Sequence, residues 1–548
     1  MELGDSRCGS EPLDRRDWLR AMLLGAASAG LPGCGARDWT PPPGEWIGEG
    51  AAIGHRLRDG QPPAAGAPDW RELDVVIVGA GVAGLAAARR LERAGRRDFV
   101  VLELGDVVGG TARAGQRDGF RFPWGAHYLP LPQADNRLLV DLLRECDVLE
   151  PSDGGEVAAR EEMLCRDPQE RLLAGGVWYE DLDVWHDAPE DELRQWRAWQ
   201  AEIERWTKWR DAKGRRAFAL PTREASDAPE IRALDQITMG QWLADRGWNS
   251  SRLRWLIDYA CRDDYGMTVE QVSAWAGLFY FCARMPEHES RSQPLLTWPE
   301  GNGWLVKHMS SLLGDRVHTE TPVWSIRPST DPNGRIEVVA GGVAGREVQA
   351  YRARRVVCAV PQFIASRMIQ SIDGARTELA RHFEYGSWLV ANVFLRDRPR
   401  GRGFPLAWDN MSVDSRSLGY VVATHQLGVD HGPTVFTWYH AFCDDDVKAA
   451  RQRLFDLSRD DAARLVAADL QSMHPEIGDL ISRIDLVRWG HAMVRPRPGF
   501  RTSAARTHAA QPWRGIHFAH TELSGVALFE EAFDQGERAA AEVLQSLE

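Results

Sequence analysis

The run Asp74-Val75-Val76-Ile77-Val78 leads straight into Gly79-Ala80-Gly81-Val82-Ala83-Gly84, and this junction restricts the fold more than any other stretch of the chain. A continuous β-branched run suits a strand buried on both faces within a parallel sheet. The next residues, Leu85 to Ala94, place Leu85, Ala88 and Leu91 on one helical face, and Gly95 follows as a stop signal. A second strand, Phe99-Val100-Val101-Leu102, ends in Glu103. The glycines have distinct physical roles. Gly79 permits the tight turn, Gly81 admits a pyrophosphate against the backbone, and Gly84 lets helix pack closely on strand. The helix N-terminus offers free N–H groups to phosphates, and the Glu103 carboxylate is placed to accept from both ribose hydroxyls. Strand, turn, helix, strand and acid in this order predict a dinucleotide-binding unit. They leave NAD and FAD open.

At 548 residues the chain has room for roughly two to four domains. Its 66 basic and 79 acidic residues give a formal charge of -13, which argues against a broad phosphate-binding face and against nucleic acid as a partner. An acidic surface attracts cations, amines included. The cysteines form no CxxC, and His517 and His520 form an HxxH with no further ligand cluster, so no metal site is expected. Cys146, Cys165, Cys261, Cys282, Cys358 and Cys443 permit disulfides in an oxidising compartment or, equally, buried free thiols. Gly341-Gly342-Val343-Ala344-Gly345 lies between two strand-like runs and reads as a hairpin turn, so a second dinucleotide site for NAD(P)H is disfavoured.

Near the N-terminus, Arg15-Arg16, the apolar run Ala21 to Leu31 and Leu31-Pro32-Gly33-Cys34 read as a charged region, a short apolar region and a cleavage site. The apolar run falls short of the roughly 20 residues a spanning helix needs. The paired arginines resemble a twin-arginine export signal and the ending resembles a lipobox. This implies a bacterial cell-envelope protein, exported folded to the periplasm and held at the membrane by a lipid on Cys34. Residues 35–72 are rich in Pro and Gly without sustained periodicity and read as a tether.

Glu103-Leu104-Gly105-Asp106-Val107-Val108-Gly109-Gly110-Thr111-Ala112-Arg113 resembles the second glycine motif of the flavin amine oxidase superfamily, which includes monoamine and polyamine oxidases, protoporphyrinogen oxidases and phytoene desaturases. The resemblance implies FAD, with Gly109, Gly110 and the displaced Arg113 at its diphosphate. Gly119-Phe120-Arg121-Phe122-Pro123-Trp124-Gly125-Ala126-His127-Tyr128 looks like the segment that passes beside the isoalloxazine ring in polyamine oxidases. That implies Gly125 and Ala126 against the ring and His127 on the substrate side as the catalytic candidate. Further landmarks follow in the family's order: Trp298 to Leu305, Thr321 to Ile326 with Val323 beside the adenine, Arg355 to Pro361, and a closing motif in which Ala532 offers its N–H to the flavin. The resemblance covers about residues 73–545. It implies an α/β protein with a Rossmann-like FAD-binding domain assembled from residues 73–140, 299–370 and 501–548, behind a leader at 1–34. The inserted α+β substrate domain has a helical part at 141–298 and a sheet part at 371–500.

Several positions depart from the family pattern. Val390 stands where the amine oxidases carry a lysine thought to assist reoxidation by oxygen, and His520 replaces an expected Gly-acid pair. No cysteine stands near Trp489-Gly490-His491-Ala492-Met493, where monoamine oxidases attach their flavin, so the FAD is expected to be non-covalent. Trp489, His491 and Met493 alternate along one strand, which makes Trp489 and His491 substrate-side candidates. Between Glu150 and Pro299 the period is helical, and Leu193, Trp196, Trp199, Ile203 and Trp206 read as core. The implied activity is hydride transfer from the carbon beside an amine nitrogen to flavin N5, with a small-molecule amine or polyamine as substrate and oxygen or a quinone as acceptor. A desaturase acting on a C–C bond with a non-oxygen acceptor, and a non-catalytic flavoprotein, remain as alternatives.

Overall fold

The computed structural model describes residues 39–548 apart from 49, 61–68, 152–156, 286–293, 330, 332–333, 344–346, 371–373 and 444–445. The leader and Cys34 lie outside the described residues. Strand Trp70–Val78 is covered on both faces, as its unbroken apolar run requires: Val75 and Ile77 enter one core, Val76 and Val78 another. It pairs in parallel with Phe99–Leu102 on one side and Val348–Cys358 on the other, and Val317–His318 and Ile516–Phe518 extend the parallel part. Ile336–Gly341 and Val323–Arg327 then add an antiparallel wing. The run around Gly341 therefore joins two paired strands, as a hairpin should.

Helix Val82–Arg93 packs against the last helix, Phe529–Leu547, at backbone distance. A Cβ on Gly536 would fall 2.1 Å from the Ala83 carbonyl oxygen. Buried Arg89 locks the pair by bonding Glu537 at 3.0 Å and Glu145 at 2.6 Å. Both charges are needed there, since removing one partner of such a pair strands the other in low dielectric. The C-terminal segment thus closes over the first turn of the nucleotide-binding unit.

A second, eight-stranded sheet among the described residues has Tyr385–Leu395 between Ile481–Val494 and Thr434–Phe442. Helices Glu190–Lys208, Ser251–Tyr265 and Ala274–Cys282 surround an aromatic core that holds Trp199, Trp206, Trp242 and Trp275. The tryptophan stripe is core. The middle segment is not wholly helical, however: Glu170–Ala174 and Val177–Glu180 form a hairpin at the far edge of this sheet. Its strands are too short to show a period of their own.

The tether reading also needs correction. Residues 42–548 form one compact unit, and the chain from Pro43 is docked within it. Trp46–Ile47 pairs in parallel with Ile481–Val494, and the Arg488 guanidinium lies 3.6 Å over the Trp46 ring. Helix Gly50–Arg58 follows, with Leu57 against the core. A two-residue strand leaves no periodicity to read. Gly44 is part of the reason the segment docks: its Cβ would sit 1.8 Å from the Ile484 carbonyl oxygen. The six body cysteines form no disulfide among the described residues, five of them are buried, and burial pushes Cys146 and Cys358 up to about 12. Among the described residues no helix is long and apolar enough to cross a membrane.

Gly44→Ala is expected to force this strand off the sheet edge, at a cost of about 1–3 kcal/mol. The thermal midpoint should fall, and limited proteolysis should begin to cut within residues 45–60; an unchanged cleavage pattern would contradict the docking.

Candidate active site

The two halves meet around a water-accessible cavity of about 390 Å³. The nucleotide-binding half contributes Gly79, Gly81, Val82, Ala83, Glu103, Gly109 and Gly110, and the substrate half contributes Asp263, Asp264, Arg284, Trp388, Val390, Tyr439, Trp489 and His491. Gly125, Ala126, His127 and Tyr128 line it as well.

The glycines of the first turn serve different ends. Gly79 has φ +96°, a conformation that favours glycine. A Cβ on Gly84 would meet the Gly79 carbonyl oxygen at 1.9 Å, so the helix can start there only with glycine. Gly81 has nothing within 4 Å of its Cβ position and caps Val82–Arg93 without a side chain, which leaves the first helical N–H groups to a ligand. Gly109 N–H donates to the Ala80 carbonyl at 2.8 Å and ties the second glycine motif to the first. The Glu103 carboxylate accepts from Ala80 N–H at 2.7 Å and Gly105 N–H at 2.9 Å, and its oxygens retain lone pairs for hydroxyls.

Two of the expected cofactor residues do not line the cavity, and the N–H of a third is engaged within its helix. Arg113 is not among the residues that line the cavity: the chain makes a tight turn over Gly110–Ala112, and the guanidinium lies 4.8 Å over the Trp489 ring. It props up a cavity wall, and the helix N-terminus is left to meet phosphate charge. Val323 is buried in the sheet core and does not line the cavity either. Ala532 lines it, but its N–H donates to the Leu528 carbonyl at 3.0 Å. The free donors of that helix are the preceding N–H groups, those of Phe529, Glu530 and Glu531.

Gly125 and Ala126 are threaded between two turns. Ala126 N–H donates to Thr111 at 3.0 Å, its carbonyl accepts from Asn302 N–H at 3.1 Å, and Gly125 accepts from the Tyr439 hydroxyl at 2.9 Å. His127 Nδ1 lies 3.4 Å from the Gly125 carbonyl, so the ring donates there and presents the Nε2 lone pair. Burial pushes His127 and His520 down to about 4, so both are neutral at pH 7. Trp489 donates from Nε1 to the Trp124 carbonyl at 2.7 Å, and the His491 ring stacks on Phe363 at 4.1 Å. His520 supplies no carboxylate, and Glu522 close behind it is taken by Gln362 N–H at 2.7 Å and by the Tyr385 hydroxyl.

Sequence reasoning missed Asp263, Asp264, Arg284, Asn302, Trp388 and Tyr439. Two acids in the last turn of Ser251–Tyr265 were the available signal, because a helix C-terminus disfavours negative charge. Burial pushes Asp263 up to about 7 and Asp264 up to about 6. Arg284 lies 3.3 Å from Glu530 and 3.9 Å from Asp264. Asn302 Oδ1 and Trp388 Nε1 are buried on the cavity wall without hydrogen-bond partners.

Residues 82–544 match the model of the flavin containing amine oxidoreductase family. The chain belongs to that family. Its cofactor is FAD, and the open cradle at Gly81, the free helix N-termini and the orphaned Asn302 and Trp388 atoms fit a phosphate-linked polar ring system. Among the described residues no cysteine lines the cavity, and the binding is non-covalent as in the family generally. A Mycobacterium tuberculosis protein named as a flavin-containing monoamine oxidase is 26% identical over 87% of this chain and 97% of its own. A Streptomyces griseus phytoene dehydrogenase is 52% identical, but the match spans 11% of each chain. A putrescine oxidase bound to putrescine shares the fold at a TM-score of 0.61 and 18% identity, over 87% of this chain and 100% of that one.

Gly81→Ala and Gly84→Ala should therefore separate. The first is expected to leave the apoprotein's thermal midpoint in place and to weaken FAD retention; the second should lower the midpoint of the apoprotein itself. Equal effects in calorimetry and flavin absorbance would refute the division of labour.

Proposed function

We propose that this protein oxidises an amine at the carbon next to nitrogen. The observation that carries this is the charge of the cavity wall: Asp263, Asp264 and Glu530 face a single guanidinium, Arg284, while His127 and His520 are neutral. A hydrocarbon would leave such buried carboxylates uncompensated, whereas a cation repays part of their desolvation. The named monoamine oxidase and the putrescine oxidase among the similar proteins support the same reading.

When bound, FAD supplies the hydride acceptor that no side chain here provides. The chain does the rest. Carboxylates draw in the ammonium form, the only abundant one at pH 7. An ammonium has no lone pair to assist loss of hydride, so its proton must leave first, and of the neutral imidazoles on the wall His127, with Nε2 free, is the proposed acceptor. Tyr439, held to Gly125, and Trp489, held to Trp124, fix the walls on either side. Val390, Met493 and Phe529 keep the lining apolar around the reacting carbon and limit water. The imine product hydrolyses after release. Among the described residues no lysine lines the cavity, which favours a quinone or another non-oxygen acceptor over rapid peroxide formation.

Export to the periplasm and a lipid on Cys34 belong to the same proposal and rest on the leader sequence alone. Membrane fractionation of wild type and Cys34→Ala tests them: the variant should move to the soluble fraction.

Anaerobic addition of a panel of primary and secondary amines should bleach the flavin absorbance of the purified protein, with peroxide forming slowly on re-aeration. A flavin that stays oxidised with every amine sinks the reading. A second measurement uses pH. Because Asp263 and Asp264 ionise near 7 and 6, the affinity for tetramethylammonium, an unreactive cation of fixed charge, should fall as pH drops from 8 to 5, by up to about tenfold per unit for each group protonated. A flat profile in a flavin-perturbation titration would remove these carboxylates from the binding site.

A further inference from the structure

The N-terminal segment grips two elements that line the cavity. One is the hairpin of Ala114–Arg117 and Phe120–Pro123, flanked on one side by Gly109 to Ala112 and on the other by Gly125 to Tyr128. The other is strand Ile481–Val494, which contributes Trp489 and His491 to Val494. Covering the sheet edge takes only the two backbone pairs at Trp46 and Ile47. The remaining contacts of the segment serve a different end.

Glu45 pairs with Arg483 at 2.7 Å and with Arg117, and the buried Asp485 pairs with the same two arginines at 2.8 and 3.0 Å. Two acids and two arginines from three stretches of chain thus form a charge-balanced ring, in which Arg117 belongs to the hairpin and Arg483 to the strand. Its buried member cannot lose both arginines without being stranded in low dielectric. Three residues further on, Gly48 lies against the Arg113 guanidinium at the foot of the hairpin: with φ +93°, its Cβ would fall 2.9 Å from Nη2. Arg113 in turn covers the Trp489 ring, and its carbonyl accepts from Trp124 N–H at 3.1 Å. Helix Gly50–Arg58 carries the segment onto the nucleotide-binding half. A Cβ on Gly50 would meet Leu104, the neighbour of Glu103, at 2.9 Å, and the Arg56 guanidinium lies 5.2 Å over the Trp324 ring.

We propose that residues 43–48 and helix Gly50–Arg58 are a clasp that holds the hairpin and the strand together and thereby retains FAD. Glu45 and Gly48 act as positioning residues, since neither lines the cavity. A dinucleotide leaves a cavity of this kind when the elements around it part, and with the clasp seated that opening must also break the ring of charges and the contact at Arg113. The rate of release is therefore set in part by residues that never touch the cofactor. This holds whether the substrate is an amine or not.

The test uses the full-length, FAD-loaded protein. It is diluted, and the flavin that passes a filter at successive times gives the rate of release. Glu45→Gln, which keeps shape and leaves both arginines on Asp485, should speed release about threefold, as expected for a partly exposed charge contact. Trp46→Ala, which removes the ring beneath Arg488, should speed it about tenfold. Leu253→Ala, in the aromatic core of the helices and away from the clasp, is the control. It should lower the thermal midpoint of the apoprotein and leave the release rate as in the wild type. Wild-type release from both clasp variants overturns the proposal. So does a Leu253→Ala protein that sheds FAD as fast as Trp46→Ala, because the effect would then follow stability at large and not the clasp.

Discussion

Backbone lies directly on backbone around the first turn, and the rest of the molecule is arranged on that contact. Gly84 touches Gly79, Gly536 touches Ala83, and Gly109 hydrogen-bonds Ala80, so the first strand, two helices and the second glycine motif share a few ångströms of main chain. Close packing of this kind transmits position without slack. It sets where the helix N-terminus points and where the chain re-emerges at Gly125. It also fixes how the last helix, arriving from the other end of the sequence, presents its own free N–H groups.

Charge is distributed unevenly over that frame. The nucleotide-binding half offers peptide dipoles to negative phosphate, while Arg113 lies over the Trp489 ring. The substrate half concentrates carboxylates and keeps its histidines neutral through burial. Peptide dipoles line one end of the cavity and carboxylates with one guanidinium the other.

The nucleotide-binding half was legible because its demands are local. A turn that admits no side chain must show glycine in the sequence, and a doubly buried strand must show an unbroken apolar run. Gly125, placed by the family resemblance, and Trp489 and His491, placed by alternation along one strand, line the cavity. Arg113 and Val323 stand off the cavity wall and the Ala532 N–H is engaged within its helix, because family position says which residue is near a motif, not where its side chain or N–H is spent. The ring of Glu45, Arg117, Arg483 and Asp485 was invisible, since Glu45 and Arg483 stand 438 positions apart in sequence. The docked N-terminal segment escaped notice for another reason: Pro and Gly read as flexibility, whereas at Gly44 the missing side chain is what permits contact.

That segment carries a consequence for assembly. Trp46–Ile47 covers part of the outer side of Ile481–Val494, and Glu45 N–H bonds Asp485 across 440 positions of sequence. An exposed sheet edge is a template for joining strands from other molecules. Here the cover is among the first described residues to be synthesised and its partner strand among the last. The rim of the sheet is therefore sealed only when translation is nearly finished, and a chain truncated before residue 481 leaves its early segment with nothing to shield.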